Sequence, residues 1–315
     1  KAIKRLKDHP ALLCWGLGNE MEGPGDKGDS VRIWKEVNIL AGLVKKHDPY
    51  HPVMTVVANV NAAKLAAIKK YAPLIDILGV NVYSGAAAMD KTLQDLGWQK
   101  PYCLSEYGPP GPWEVGSTTW EAPIEPSSRS KASIYFAATS SILDATSKDS
   151  KQIGKKYCLG GYAFLWGHKQ ETTATWFGML LPTGEKTLVV DAMTKAWTGS
   201  WPQNRAPVLQ RNRIEFAGKR VNPSETLEAC VEYRDPDGDH LSYEWEIVKE
   251  SSDRKIGGDV EKRPDVVEGR VTEGAESDQI RFQAPQETGG YRLFVTVRDG
   301  QGSGCSENWP FFVGR

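Results

Sequence analysis

The sequence predicts two folds in succession, an α/β domain built on a parallel sheet and then an all-β domain, and three observations carry the prediction. Up to about residue 203, short apolar runs without strict alternation take turns with segments whose apolar residues recur every three or four positions. Residues 199–210, GSWPQNRAPVLQ, then have the Pro, Asn and Gly content of a linker. Beyond it, TLEACVEYRDPDGDHLSYEWEIVKE and GGYRLFVTVRDGQGSGCSENWPFFV show alternation broken by turn signals. These place the domains at 1–203 and 204–315.

Taken in order, KAIKRLKDHP reads as the tail of an amphipathic helix and not as a signal peptide, because no apolar core or cleavage site follows. The runs 11–17, 52–58, 75–83, 102–105 and 157–166 read as strands buried on both faces of a parallel sheet. Between them, residues 30–46 carry Val31, Trp34, Val37, Ala41 and Val44 at helical spacing. Residues 61–71 are rich in Ala, Leu and Lys behind Asn61, a capping residue; 128–146 and 191–197 are the next helices. Strands alternating with helices on a parallel sheet make an α/β fold. Short strands separated by turns over the last 110 or so residues fit an immunoglobulin-like sandwich.

Composition narrows the function. With 40% hydrophobic and 25% charged residues, the chain fits the disordered and membrane classes poorly, and no apolar stretch approaches the roughly 20 residues of a spanning helix. Thirty-nine Lys plus Arg against 40 Asp plus Glu, with no basic stripe, argue against a nucleic-acid partner. Cys14, Cys103, Cys158, Cys230 and Cys305 lack metal-binding spacing and are odd in number, which argues against a zinc site or a disulfide scaffold.

The chemistry gathers at two strand ends. In HPALLCWGLGNEMEGPG the first apolar run stops at Asn19-Glu20, and in KPYCLSEYGPPGPWE the fourth stops at Glu106. Both glutamates precede Gly/Pro-rich loops, so in a parallel barrel both stand on the rim where active sites form. A lone strand-end Glu serves as well to cap a helix or pair with an Arg. Two facing one cleft suit glycosidic bond cleavage, in which one carboxyl protonates the leaving oxygen and the other attacks the anomeric carbon.

These residues carry a resemblance. HPALLCWGLGNEME resembles the His-Pro-apolar-Trp-x-x-Gly-Asn-Glu segment of glycoside hydrolase family 2, in which Asn-Glu ends the fourth strand of a (β/α)8 TIM barrel. ILGVNVYSG resembles the sixth strand, KPYCLSEYG the seventh and GGYAFLWG the eighth, in the family's order, over roughly residues 1–200. The resemblance implies Glu20 as acid/base, Glu106 as nucleophile, Asn19 as partner of the sugar 2-hydroxyl, Tyr83 as the phenol orienting the nucleophile and Trp166 as a stacking platform. Tyr83 and Trp166 also read as large core residues, and Asn19 as a turn residue. Trp113 and Trp120, in the loop after Glu106, are either further platforms or staples of that loop. In GHKQETTATWFGML, Lys169 and Glu171 are offered to a polar ligand, although charge there also suits a solvated loop. The Asn-x-Lys pair with which β-glucuronidases of the family read a uronate is not found.

Only five barrel strands, the fourth to the eighth, are supplied, and five cannot close a barrel. The missing strands are expected from an N-terminal region outside this chain or from a second chain. DPDGDHLSYEWEI is similar to polycystic-kidney-disease-type and cadherin-like modules of extracellular glycosidases, which implies an extracellular or periplasmic location. Asp235, Asp237 and Asp239 read either as calcium ligands or as plain hairpin chemistry. Cys230 shares a face with Glu228 and Glu232 and is expected to point outward; its pairing with Cys305 is left open. The leading expectation is a retaining β-glycosidase acting on a carbohydrate without metal or organic cofactor, its carboxyls about 5 Å apart. Transglycosylation by the same route is the variant, and a non-catalytic carbohydrate-binding or structural protein on this scaffold is the alternative.

Overall fold

The computed structural model describes residues 1–23, 30–146, 157–255, 259–268 and 270–315. They form two compact units, Lys1–Tyr107 with Ala137–Ala163, and Gly108–Phe136 with Phe164–Arg315. The Gly/Pro loop expected after Glu20 lies, from Pro24 to Ser30's neighbour Asp29, outside the described residues.

The first unit is built on a parallel sheet whose strands lie in chain order: β1 (Trp15–Asn19), β2 (Val53–Ala58), β3 (Ile77–Val82), β4 (Tyr102–Tyr107) and β5 (Cys158–Ala163). Around it run α1 (Ala2–Leu6), α2 (Val31–His47), α3 (Ala62–Tyr71), α4 (Met89–Asp95) and part of α5 (Ser128–Thr146). Helix α2 buries Trp34, Val37, Ala41 and Val44 of the stripe that its spacing marks out, while Val31, its first residue, is exposed. Helix α3 starts where Asn61 Oδ1 accepts the Lys64 N–H at 2.8 Å. The inner strands are buried as expected, β3 from Leu78 to Val82.

Two expectations need correction. Strand β1 is not buried on both faces: Gly16, Gly18 and Asn19 are exposed and Trp15 and Leu17 only half-buried. Among the described residues β1 and β5 are the sheet's edges, so neither has a second neighbour, and Leu159 and Tyr162 of β5 are likewise exposed. Helix α4, with the short turn Ala86–Ala88 before it, was not expected. Seven residues show too little periodicity to read, yet burial of Met89 and Leu93 fixes the segment.

The second unit holds helix α6 (Leu188–Thr198) and two four-stranded sheets. One is ordered β10 (Val271–Glu273), β11 (Gln279–Gln283), β8 (Thr226–Arg234), β6 (Val208–Arg213). The other is ordered β7 (Arg220–Val221), β13 (Gly304–Val313), β12 (Gly289–Arg298), β9 (Ser242–Lys249); all pairings are antiparallel except β7 with β13. Leu227, Val231 and Phe282 of the first sheet share one core with Trp245, Leu293 and Phe311 of the second. On β8 the buried residues are Leu227, Ala229, Val231 and Tyr233, so Cys230 stands on the outer face with Glu228 and Glu232. Cys230 and Cys305 are both free thiols. No described helix is long and apolar enough to cross a membrane.

Candidate active site

The carboxyl ends of β1, β3 and β4 bring six polar side chains of the first unit together. Pairing between β3 and β4 sets Asn81 opposite Glu106, and pairing between β2 and β3 sets Ala58 opposite Asn81. The Asn81 Nδ2 donates to Glu20 Oε1 at 2.8 Å and to Asn19 Oδ1 at 3.1 Å. Its own Oδ1 accepts from Ser105 Oγ at 2.7 Å, which fixes which end of the amide faces Glu20. Two residues on, the Tyr83 hydroxyl donates to Glu106 Oε2 at 2.8 Å. Strand β3 therefore holds both carboxylates, one through Asn81 and the other through Tyr83, because alternate residues of a strand share a face. Glu20, Tyr83 and Glu106 are all half-buried, a setting in which a carboxyl keeps contact with a ligand and loses part of its water.

Backbone geometry sharpens the turn. Glu20 itself takes φ 48°, a left-handed conformation uncommon for a residue with a side chain. Its N–H is bonded to Val56 O at 3.1 Å and its C=O accepts from Gly23 N at 3.1 Å. At Gly79 a Cβ would stand 2.7 Å from Val56 Cγ2 and 3.0 Å from Ser105 Oγ, so only glycine leaves the serine hydroxyl its place beside Asn81.

Asn19, Glu20, Tyr83 and Glu106 are thus brought together. Asn81 and Ser105 were missed by the sequence reading; the available signal was an Asn two residues before Tyr83 inside an apolar strand, where an amide needs a partner. Trp166, Lys169 and Glu171 belong to the second unit. Trp166 is 64% exposed. Lys169 Nζ donates to the buried Glu171 carboxylate at 2.7 Å and lies 5.5 Å over the Phe164 ring, so each charge has a partner within the protein. Trp113 is exposed, whereas Trp120 packs on Phe312 with ring centroids 5.7 Å apart and acts as a staple of its loop.

In the sandwich, Asp235, Asp239 and Asp299 offer carboxylate oxygens within 4.8 Å of one another, an oxygen-only donor set suited to a hard cation. Asp237 is not one of them; it accepts the Arg205 N–H at 2.7 Å. Asp235 Oδ1 accepts the N–H groups of Asp237, Gly238 and Asp239 at 2.8, 2.9 and 3.1 Å, which is turn chemistry.

No curated protein matches the chain. Among solved structures it is similar to a glycosyl hydrolase family 2 member from Bacteroides cellulosilyticus, at 13% identity and TM-score 0.40 over 99% of this chain and 34% of that one. It is also similar to an α-L-arabinofuranosidase from Thermotoga maritima, at 9% identity and TM-score 0.43 over 96% of this chain and 66% of that one. The PKD1 domain of Vibrio anguillarum Epp aligns at 17% identity and TM-score 0.21 with 35% of this chain and 96% of its own. The chain thus spans about a third of the length of the first of these. Residues 1–117, the stretch that carries Asn19, Glu20, Asn81, Tyr83 and Glu106, match the model of the glycosyl hydrolases family 2 TIM barrel domain.

Proposed function

We propose that the protein is a retaining β-glycosidase in which Glu20 is the acid/base and Glu106 the nucleophile. One observation carries the reading: two glutamates at the same end of one parallel sheet, each held by a hydrogen bond from the strand β3 region, Asn81 to Glu20 and Tyr83 to Glu106. The family-model match of residues 1–117 supports it.

In the first step a Glu106 carboxylate oxygen bonds to the anomeric carbon while the glycosidic C–O bond breaks, and the departing oxygen takes the proton of Glu20. In the second, Glu20 removes a proton from water, whose oxygen bonds to the anomeric carbon as the bond to Glu106 breaks. Because Asn81 donates to Oε1 of Glu20, the transferable proton belongs on Oε2. Tyr83 fixes the rotation of the Glu106 carboxyl through Oε2. Asn19 is assigned to the 2-hydroxyl. The exposed edges β1 and β5 motivate completion of the barrel by further polypeptide, preceding this chain or from a second one. The sandwich motivates a location outside the cytoplasm.

The test is intact mass spectrometry of the complete protein after incubation with a panel of 2-deoxy-2-fluoro glycosyl fluorides, beside Glu106→Gln. An adduct of one sugar on the parent and none on the variant is expected. A folded parent that takes up no sugar from the panel would move the assignment to a binding or structural role.

A further inference from the structure

The segment after Glu20 ends in a second acidic residue, and its partner lies far along the chain. Glu22 is 7% exposed and Lys64, on the first turn of α3, is 3% exposed. Lys64 Nζ donates to Glu22 Oε1 at 2.7 Å, to Ala58 O at 2.6 Å and to Asn59 O at 3.3 Å, so an ammonium with three protons meets three acceptors. Glu22 Oε1 also accepts the Ala58 N–H at 3.1 Å. The β1–β2 ladder has just ended there: the Glu20 C=O is turned back to the Gly23 N–H, and the Glu22 side chain takes up the N–H of β2 in its stead.

Two left-handed residues meet at this point, Glu20 at φ 48° and Asn59 at φ 52°. Each costs conformational energy that its surroundings must offset. The Lys64 ammonium ties both turns together, holding the Asn59 turn through two carbonyls and the Glu20 turn through Glu22. Asn59 is joined in turn to β3, its N–H bonded to Asn81 O at 2.8 Å. A buried ion pair is a weak source of net stability but a strong constraint on conformation, since its charges accept few alternative geometries.

We propose that the Glu22–Lys64 pair is a positioning device that locks the left-handed turn carrying Glu20 and so aims its carboxyl at the leaving-group oxygen. The proposal rests on the glycosidase reading of the site. Neither residue touches the reacting atoms; both act through the backbone of residues 20–23. Loss of the pair therefore weakens proton donation and leaves attack by Glu106 intact.

The experiment uses the complete protein, with Lys64→Met and, in case a lone buried Glu22 charge prevents folding, the double variant Glu22→Gln with Lys64→Met. Each is assayed for trapping by the fluoro sugar that labels the parent, a reaction with an activated leaving group, and for kcat/KM along aryl glycosides of rising leaving-group basicity. The expected result is normal labelling at Glu106, a change of less than about 3-fold for the dinitrophenyl glycoside, and a loss of at least about 30-fold for the most basic leaving group. A loss of equal size along the whole series, or none, overturns the positioning role while the glycosidase assignment stands. A parent neither labelled nor active on any glycoside overturns the assignment and the positioning role with it.

Discussion

At the residue scale the site depends on amides and hydroxyls as much as on its carboxylates. Asn81 is 3% exposed and spends both ends of its amide, one on Ser105 and the other on Asn19 and Glu20. A hydrogen bond to a charged group contributes about 1.5–3 kcal/mol. Asn81→Ala is therefore expected to lower kcat/KM about 10- to 100-fold, with little loss of labelling at Glu106. Steady-state kinetics set beside trapping rates check this, and equal losses in both would locate the effect elsewhere. Asp48 shows the same logic in a scaffold role. Burial raises its pKa, but hydrogen bonds from the Trp15 indole, His51 and the Tyr50 N–H outweigh burial and hold it at about 2. That carboxylate ties the start of β1 to the end of α2.

At the element scale, β3 organises the first unit, because one face of it carries Gly79 and Asn81, with Tyr83 just past its end. Gly79→Ala places a methyl against Val56 and the Ser105 hydroxyl; turning that hydroxyl away from Asn81 is expected to reproduce a good part of the Asn81→Ala defect. Kinetics of Gly79→Ala and of Ser105→Ala, matched to thermal melts, separate loss of positioning from loss of stability. In the second unit a buried polar cluster joins α5 to its surroundings. Lys131 Nζ donates to Glu125 Oε1 and to Thr175 O, each at 2.7 Å, and Thr173 and Asn308 bond Glu125 Oε2 at 2.6 and 2.7 Å. Burial works to raise the Glu125 pKa, but the Lys131 charge, the hydrogen bonds from Lys131 and Thr173, and the Arg292 charge prevail and lower it. Lys131→Met leaves that carboxylate buried without its cation and is expected to cost about 3–5 kcal/mol, read from denaturant unfolding.

At the scale of the whole molecule, two buried acids make stability depend on pH. Burial raises Asp191 from 3.8 to about 6 against the pull of the Ala206 N–H, Arg205 and Lys186. Burial likewise raises Glu307 from 4.5 to about 7, against Lys131 and the Ser128 N–H. Each folded-state pKa lies above its unfolded value, so the folded chain binds more protons between the two. Their contribution is complete below the unfolded values and is lost as pH rises, from about 3.8 to 6 for Asp191 and from about 4.5 to 7 for Glu307. Glu307→Gln keeps an acceptor for the Ser128 N–H, bonded at 2.9 Å, and is expected to flatten the upper part of that decline in melting temperature. An unchanged slope in the variant would remove Glu307 as its source.

Much of this was legible in the chain itself. Apolar spacing marked α2, the Asn61 cap marked the start of α3, alternation on β8 marked both the core and the outward Cys230, and Asn19-Glu20 and Glu106 stood out as polar ends of apolar runs, because these signals depend on neighbours in sequence. Only the tertiary structure decided that β1 is an edge, that Asn81 and Ser105 serve Glu20, that Trp120 is a staple, and that Glu22 and Lys64 form a pair. Those facts turn on strand register and on which buried donors find acceptors tens of residues away. A one-dimensional pattern fixes the face on which a side chain stands, but the partner across that face is set only when the sheet is assembled.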